Sequence, residues 1–249
     1  ANVAGVEEVA VATPPAEQLS ELTLAAIYAA GADEVYQVGG AQAVAALAYG
    51  TETVDPVRKV VGPGNRWVTA AKAAVQGDVA IDFLAGPSEV VVLADGTADP
   101  AFVAADLLAQ AEHDEHASVV AVTDDDALAE SVVGELAARL LDLDRRETVE
   151  AALDRAASGV FTAASMTAAA EFAEAYAPEH LSIQAADDEG LLDAVPSAGS
   201  AFLGGYAPVA AGDYATGTNH ILPTGGAARH TGGVSVDTFL RATTVQRMD

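Results

Sequence analysis

The stretch SEVVVLADGTADPAFVAADLLAQAEHDEHASVVAVTDD, residues 88–125, decides how the chain folds. SEVVVLAD (88–95) and ASVVAVTDD (117–125) are short β-branched runs and read as strands. Between them, DPAFVAADLLAQAEH (99–113) reads as a helix, with Asp99 as N-cap and Pro100 at its first position. Strand, helix, strand at this spacing predicts a mainly parallel α/β sheet.

The same alternation continues on both sides. Upstream, VEEVAVAT (6–13), DEVYQVGG (33–40), VRKVVGPGN (57–65) and VAIDFL (79–84) read as strands, the third running into a turn. They are separated by helices over 14–31, closed by Gly31, over 41–50, ending at Gly50, and over 66–77. Downstream come acidic helices between 125 and 157, strand GVFTAAS and helix SMTAAAEFAEAYA running into Pro178. Strand LSIQ, short helix DEGLLDAV and strand SAFLGG follow. In such sheets ligands sit beyond the carboxyl ends of the strands, so the polar clusters are expected there.

Composition narrows the class. With 249 residues, 51% hydrophobic, the chain suits one large or two modest globular domains with a substantial core. It has no apolar run of about 18 residues, so no transmembrane helix is expected. The first residues, ANVAGVEEVAV, lack a basic n-region and a cleavable apolar segment, so a cytoplasmic location is expected. Absence of Cys excludes disulfides and thiolate metal sites and leaves nitrogen and oxygen ligands for any zinc. Asp plus Glu number 37 against 11 Lys plus Arg, a net charge of −26. A surface so acidic repels nucleic acid. The apolar content is too high for acidic disorder, and a halophile-type surface screened by molar salt fits better.

Four polar clusters punctuate the pattern. YQVGGAQA (36–43) offers Gly39 and Gly40 at a strand-to-helix turn where backbone could approach a phosphate; a plain βα turn explains it better, since G-x-G-x-x-G is not met and no acid sits about 20 residues on to hold a ribose. GPGN (62–65) is a tight turn presenting Asn65. In LLAQAEHDEHA (107–117), Gln110 and His113 share a helix face and could grip one metal ion; His113 with His116 is a rival pairing, and an exposed helix end the plainer alternative. AGDYATGTNHILPT (211–224) lacks strong periodicity, reads as a long polar loop, and offers Asp213 and His220. A further stretch, YAPEHLSI (176–183), sets Glu179 beside His180. Adjacent side chains diverge unless the backbone turns sharply, which Pro178 permits; otherwise the pair lies in a solvated loop.

Taken in order, VGGAQAVAALAYGT, VGPGNRWVTAAK, DFLAGPSEVVVLAD, DLLAQAEH, YAPEHL, SAGSAFLG and AGDYATGTNHILPT resemble the histidinol dehydrogenase family over nearly the whole chain. The resemblance implies two Rossmann-like, mainly parallel βαβ domains, both incomplete. Residues 1–86 would carry the NAD-contacting turns, 87–226 the zinc, substrate and acid–base groups, and 227–249 the start of a C-terminal segment. The implied activity is zinc-dependent oxidation of L-histidinol to L-histidine through histidinal with two NAD. Gln110, His113 and Asp213 match zinc ligands, and Ser88, Gln110, His113, His180 and Asp213 match substrate contacts. Gln42 and Asn65 match NAD-contacting positions, Glu179 and His180 the acid–base pair, and His220 would line the pocket. The resemblance also implies a homodimer. Its site would be completed by a C-terminal segment, carrying a zinc-ligand histidine and a substrate-binding glutamate, that this sequence does not contain. An N-terminal region with an NAD-contacting tyrosine is likewise outside it, so the chain alone is expected to turn over little or nothing. The alternatives are a zinc hydrolase, with Glu179 activating a metal-bound water, and a non-catalytic small-molecule binding module on the same sheet.

Overall fold

Every strand pairing among the described residues is parallel, as the alternation predicts. The structure, a computed structural model, describes residues 1–248. In chain order, the first part holds β1 (Ala10–Ala12), α1 (Glu21–Ala29), β2 (Glu34–Tyr36), α2 (Gly40–Tyr49), β3 (Lys59–Val60), α3 (Arg66–Val75) and β4 (Ala80–Ile81). The second holds β5 (Glu89–Ala94), α4 (Pro100–His113), β6 (Ser118–Thr123), α5 (Asp126–Leu140), α6 (Arg146–Leu153) and β7 (Gly159–Thr162). It continues with α7 (Met166–Tyr176), β8 (His180–Gln184), α8 (Asp188–Ala194), β9 (Ser200–Leu203) and α9 (Val209–Tyr214).

The chain divides into two units: Ala1–Leu84 together with the chain from Val234 onward, and Ala85–Gly233. In the first unit, β1 pairs with β2 and β3 with β4 as two small sheets. Val44, Leu47, Val54, Val60, Val75 and Val79 form its core. The helix predicted over 14–31 begins only at Glu21, because Pro14 and Pro15 favour extended backbone and Ser20 caps the helix, accepting from Thr23 N.

In the other unit, five strands line up as β7-β6-β5-β8-β9. β5 lies at the centre with all six residues buried, paired through Val90 to Val119 on one side and to His180 on the other. Alternation along the strand divides its side chains between two cores. Val90, Val92 and Ala94 pack with residues of α4, α5 and α6. Val91 and Leu93 pack with α7 and with Leu181 and Ile183 of β8. Each fully buried Val or Leu contributes roughly 1.5–3 kcal/mol, so this sheet is the rigid frame of the unit.

Helix α4 starts as predicted, with Asp99 Oδ1 accepting from Ala101 N at 2.8 Å and Pro100 first in the helix. It returns antiparallel to β5, and four residues after its end the chain enters β6. Its last turn therefore lies at the amino edge of the sheet. That edge matters, because the candidate residues of this unit gather there and not beyond the carboxyl ends, where they were expected. Glu89 opens β5 and His180 opens β8, with Ser88 and Glu179 just before them. The carboxyl edge instead carries a cavity of about 470 Å³ bordered by Asp95, Ala170, Ala185, Asp187 and Leu191, and none of the candidate residues lines it.

Candidate active site

The backbone does turn sharply before the Glu179–His180 pair. α7 ends on Ala177, a fully buried alanine in the left-handed region at φ 54° whose N–H still bonds Ala173 O at 2.8 Å. Such a conformation is uncommon without glycine, and Pro178 then prevents the helix from continuing. Next door, Gly199 N donates to Pro178 O and Ser200 N to Glu179 O, both at 2.9 Å. A Cβ at Gly199 would stand 2.7 Å from Glu179 O, so only glycine lets the SAGS stretch lie this close.

Glu179 and His180 are not in a solvated loop: each is only 6% exposed. They meet through a third residue. The backbone of Glu89 donates its N–H to Glu179 Oε2 at 3.0 Å and offers its carbonyl to His180 Nδ1 at 3.2 Å. Glu179 Oε2 and His180 Nδ1 themselves lie 3.6 Å apart. With Nδ1 carrying the proton toward a carbonyl, Nε2 is the ring atom left with a lone pair.

Burial sets the electrostatics. It pushes the Glu179 carboxyl up to about 7, opposed by the Glu89 N–H and the Ser88 hydroxyl and reinforced by the charges of Glu89 and Asp213. It lowers His180, against the Glu89 carbonyl and Asp213, which favour the imidazolium, while His113 adds to the lowering. The result is a neutral imidazole beside a carboxyl poised near neutrality, the condition for general acid–base work. Glu89 was missed in the sequence, although a carboxylate heading an otherwise apolar central strand is a visible anomaly. Its Oε1 accepts from Gly225 N at 2.9 Å, and burial raises its pKa. That bond pins the 224–226 stretch to β5, beside a contact from Gly86 N to Thr224 Oγ1.

The remaining candidates converge on this edge. Gln110 and His113 sit on the last turn of α4. Asp213 does not lie in a loop: Val209–Tyr214 is a helix, too short and Gly/Ala-rich to show periodicity. Asp213 and His113 both lie near enough to act on His180 electrostatically. His113 and Asp213 are exposed, whereas Gln110 is 6% exposed and forms no side-chain hydrogen bond among the described residues. His113 and Asp213 supply an imidazole and a carboxylate, the donor types zinc takes, and Gln110 adds an amide oxygen, a poorer zinc donor, left without a partner. No group of three or more His, Asp or Glu converges as a metal cage among the described residues. His116 does not share a helix face with His113, although its spacing suggested one. The helix has ended, and its ring faces Arg155 Nη1 at 3.4 Å. His220 is exposed.

In the first unit, Gln42 is exposed on the first turn of α2, just after the Gly39–Gly40 turn. Asn65 serves the fold of its own helix. Its Oδ1 caps α3, accepting from Trp67 N and Val68 N at 3.0 and 3.2 Å, which leaves its amide donors for a ligand. The turn before it is braced by a buried ion pair, since Lys72 pairs with Asp82 and donates to Gly62 O at 3.0 Å, and Asp82 Oδ2 accepts from Gly62 N at 2.8 Å.

Comparison with known proteins decides the family. The histidinol dehydrogenase family model matches residues 1–249. The chain belongs to the histidinol dehydrogenase family. It is 73% identical over 249 residues to the histidinol dehydrogenase of Halobacterium salinarum and 72% over 248 residues to that of Haloarcula marismortui, covering 100% of this chain and 59% of each relative. A solved histidinol dehydrogenase from Elizabethkingia anophelis superposes with a TM-score of 0.92 at 42% identity, over 96% of this chain and 56% of that one. The chain thus spans somewhat more than half the length of the histidinol dehydrogenases it matches. A propionaldehyde dehydrogenase from Clostridium phytofermentans, at 16% identity and a TM-score of 0.52, shares the fold alone. No helix among the described residues is long and apolar enough to cross a membrane.

Proposed function

We propose that this chain carries the chemical centre of a zinc-dependent, NAD-linked, cytoplasmic enzyme that oxidises L-histidinol to L-histidine through histidinal. The observation that carries the reading is the pair held on the backbone of one residue, Glu89: His180 with Nε2 free and Glu179 pushed up to about 7. Two oxidations of one carbon need a base for the alcohol proton and a base for the water that hydrates the aldehyde. His180 Nε2 takes the alcohol proton as hydride leaves for NAD. Glu179 then takes a proton from water as its oxygen adds to the aldehyde carbon, and the hydrate gives up the second hydride to a second NAD. A carboxylate near 7 is a far stronger base than one at 4.5 and is still substantially ionised at neutral pH.

Ser88, beside Glu179, contacts the substrate, and Gln110, His113 and Asp213 would hold zinc as well as touch it. When bound, zinc supplies a template for the substrate's imidazole and amine. Gln42 and Asn65 contact NAD. The whole enzyme is a homodimer, and the exposed flank at His113 and Asp213 is the side left for ligands from the partner chain. Its surface is salt-adapted, as a charge of −26 on 249 residues supports.

The test is NADH production from L-histidinol in concentrated KCl with zinc, on this chain and on the full-length parent. Two NADH per histidinol from the parent is the expected result. A folded, zinc-loaded parent that makes none, or that hydrolyses an ester or amide without NAD, discards the reading. In the parent, Glu179→Gln impairs histidinal oxidation more than the first hydride step; equal losses in both undo the division of labour.

A further inference from the structure

Asp106 is 4% exposed and lies one helical turn before Gln110 on α4, outside every motif role assigned above. Its Oδ2 accepts from Ser182 Oγ and from Gln184 Nε2, each at 3.0 Å, and its Oδ1 accepts from Val209 N at 3.1 Å. Ser182 and Gln184 follow His180 at two-residue intervals on β8, so all three side chains share one face of that strand. Val209 is the first residue of α9, four before Asp213. One carboxylate therefore joins the three elements that carry His180, Gln110 with His113, and Asp213.

No lysine or arginine pairs with Asp106 among the described residues. For stability alone an apolar residue of similar volume would serve as well, because a buried carboxylate without a cation loses solvation that hydrogen bonds only partly restore. What an apolar residue could not do is take donors from two elements at once. The orientation of Gln184 follows the same logic. Its Nε2 is turned to Asp106, while its Oε1 is buried without a hydrogen-bond partner. Building on the zinc-dependent reading above, we propose that Asp106 is a positioning residue that fixes the α4 face bearing Gln110 and His113 against Asp213 and His180, and through them sets zinc affinity. Removing the hydrogen-bond partner of a metal ligand itself costs about 10–100-fold in metal affinity, which sets the upper bound for a residue that acts on the elements carrying the ligands.

The experiment measures zinc binding by the full-length parent in competition with a chromogenic chelator, together with KM for L-histidinol. Asp106→Ala weakens zinc by up to about 10–100-fold and raises KM. Asp106→Asn restores affinity to within a few-fold. Its Oδ1 keeps the Val209 N–H, and its amide donates to the Gln184 Oε1 once that side chain turns over. Val209→Pro keeps the carboxylate and deletes only the donor on α9. Proline fits the first helical position, and Pro208 already has the φ −66°, ψ 142° backbone that a following proline requires. That variant weakens zinc about tenfold with the fold retained, and it decides the matter if Asp106→Ala does not fold. Val132→Ala, on α5 in the same core, is the control for general loosening. Wild-type zinc affinity in both Asp106→Ala and Val209→Pro overturns the proposal. So does a loss in Val132→Ala equal to that of Asp106→Ala at the same drop in Tm. A parent that binds no zinc overturns the functional reading instead, and this inference with it.

Discussion

Each unit buries ionisable groups, and they are treated in opposite ways. In the unit that begins the chain, Lys72 and Asp82 form a closed pair, with the Gly62 peptide and Phe83 N taking up further valences. In the other, Glu89, Glu179 and Asp106 are buried carboxyls with no cationic partner among the described residues, satisfied only by hydrogen bonds, and burial raises all three. The paired charge braces a turn. A carboxyl held by dipoles alone has its pKa raised by burial, and Glu179, pushed up to about 7, is the one placed to exchange a proton at neutral pH. The contrast separates a structural brace from the candidate site without reference to any motif.

Four measurements break or sharpen this contrast. The largest effect is expected at the candidate site: His180→Ala in the full-length parent lowers turnover of both histidinol and histidinal by about 10²–10⁴-fold, read as NADH formation. A loss confined to KM would move His180 from acid–base work to binding. Next comes the brace. Lys72→Met leaves Asp82 buried and unpaired and costs about 3–5 kcal/mol in denaturant unfolding, whereas the double variant with Asp82→Asn recovers much of it. A single variant as stable as the parent would make the pair ornamental.

The third concerns pH. Glu179 has a folded pKa raised from 4.5 to about 7, so between these values the folded state keeps a proton that the unfolded state has lost. Its contribution to stability therefore falls as pH rises through that window, by about 3 kcal/mol once both states are ionised. Glu179→Gln removes the penalty. Its Tm should exceed the parent's at pH 8 and the gap should close by pH 4, and a pH-independent gap contradicts the poised carboxyl. The smallest effect returns to the first unit, where Asn65→Ala loses a helix cap worth about 1 kcal/mol. KM for NAD rises with it if the amide donors serve the cofactor, while Asn65→Ser keeps the cap and separates the two.

Much of the fold was legible because it depends on short-range physics. The β-branched run 89–94, the Asp99–Pro100 start of α4 and the Gly50 stop of α2 are local patterns, and the structure has an element at each. The parallel order followed from helix-length crossovers. The misses were also local in form but tertiary in cause. The 14–31 helix is cut short by two prolines at its start, and α9 exists in a stretch with no periodicity because Asp106 supplies an acceptor for its first N–H from a helix about a hundred residues earlier in the chain.

By itself, the sequence determined the class of fold, the acidic surface and which residue types could do chemistry, since those depend on composition and on neighbours within a turn or two. Only the tertiary structure decided that the candidate residues gather at the amino edge of the sheet, that Glu179 and His180 meet on the backbone of Glu89, and that Asp106 links three elements. The physical reason is that a pKa and a hydrogen-bond partner are properties of an environment. Here that environment is assembled from segments about 90 residues apart in the chain, which no local pattern records.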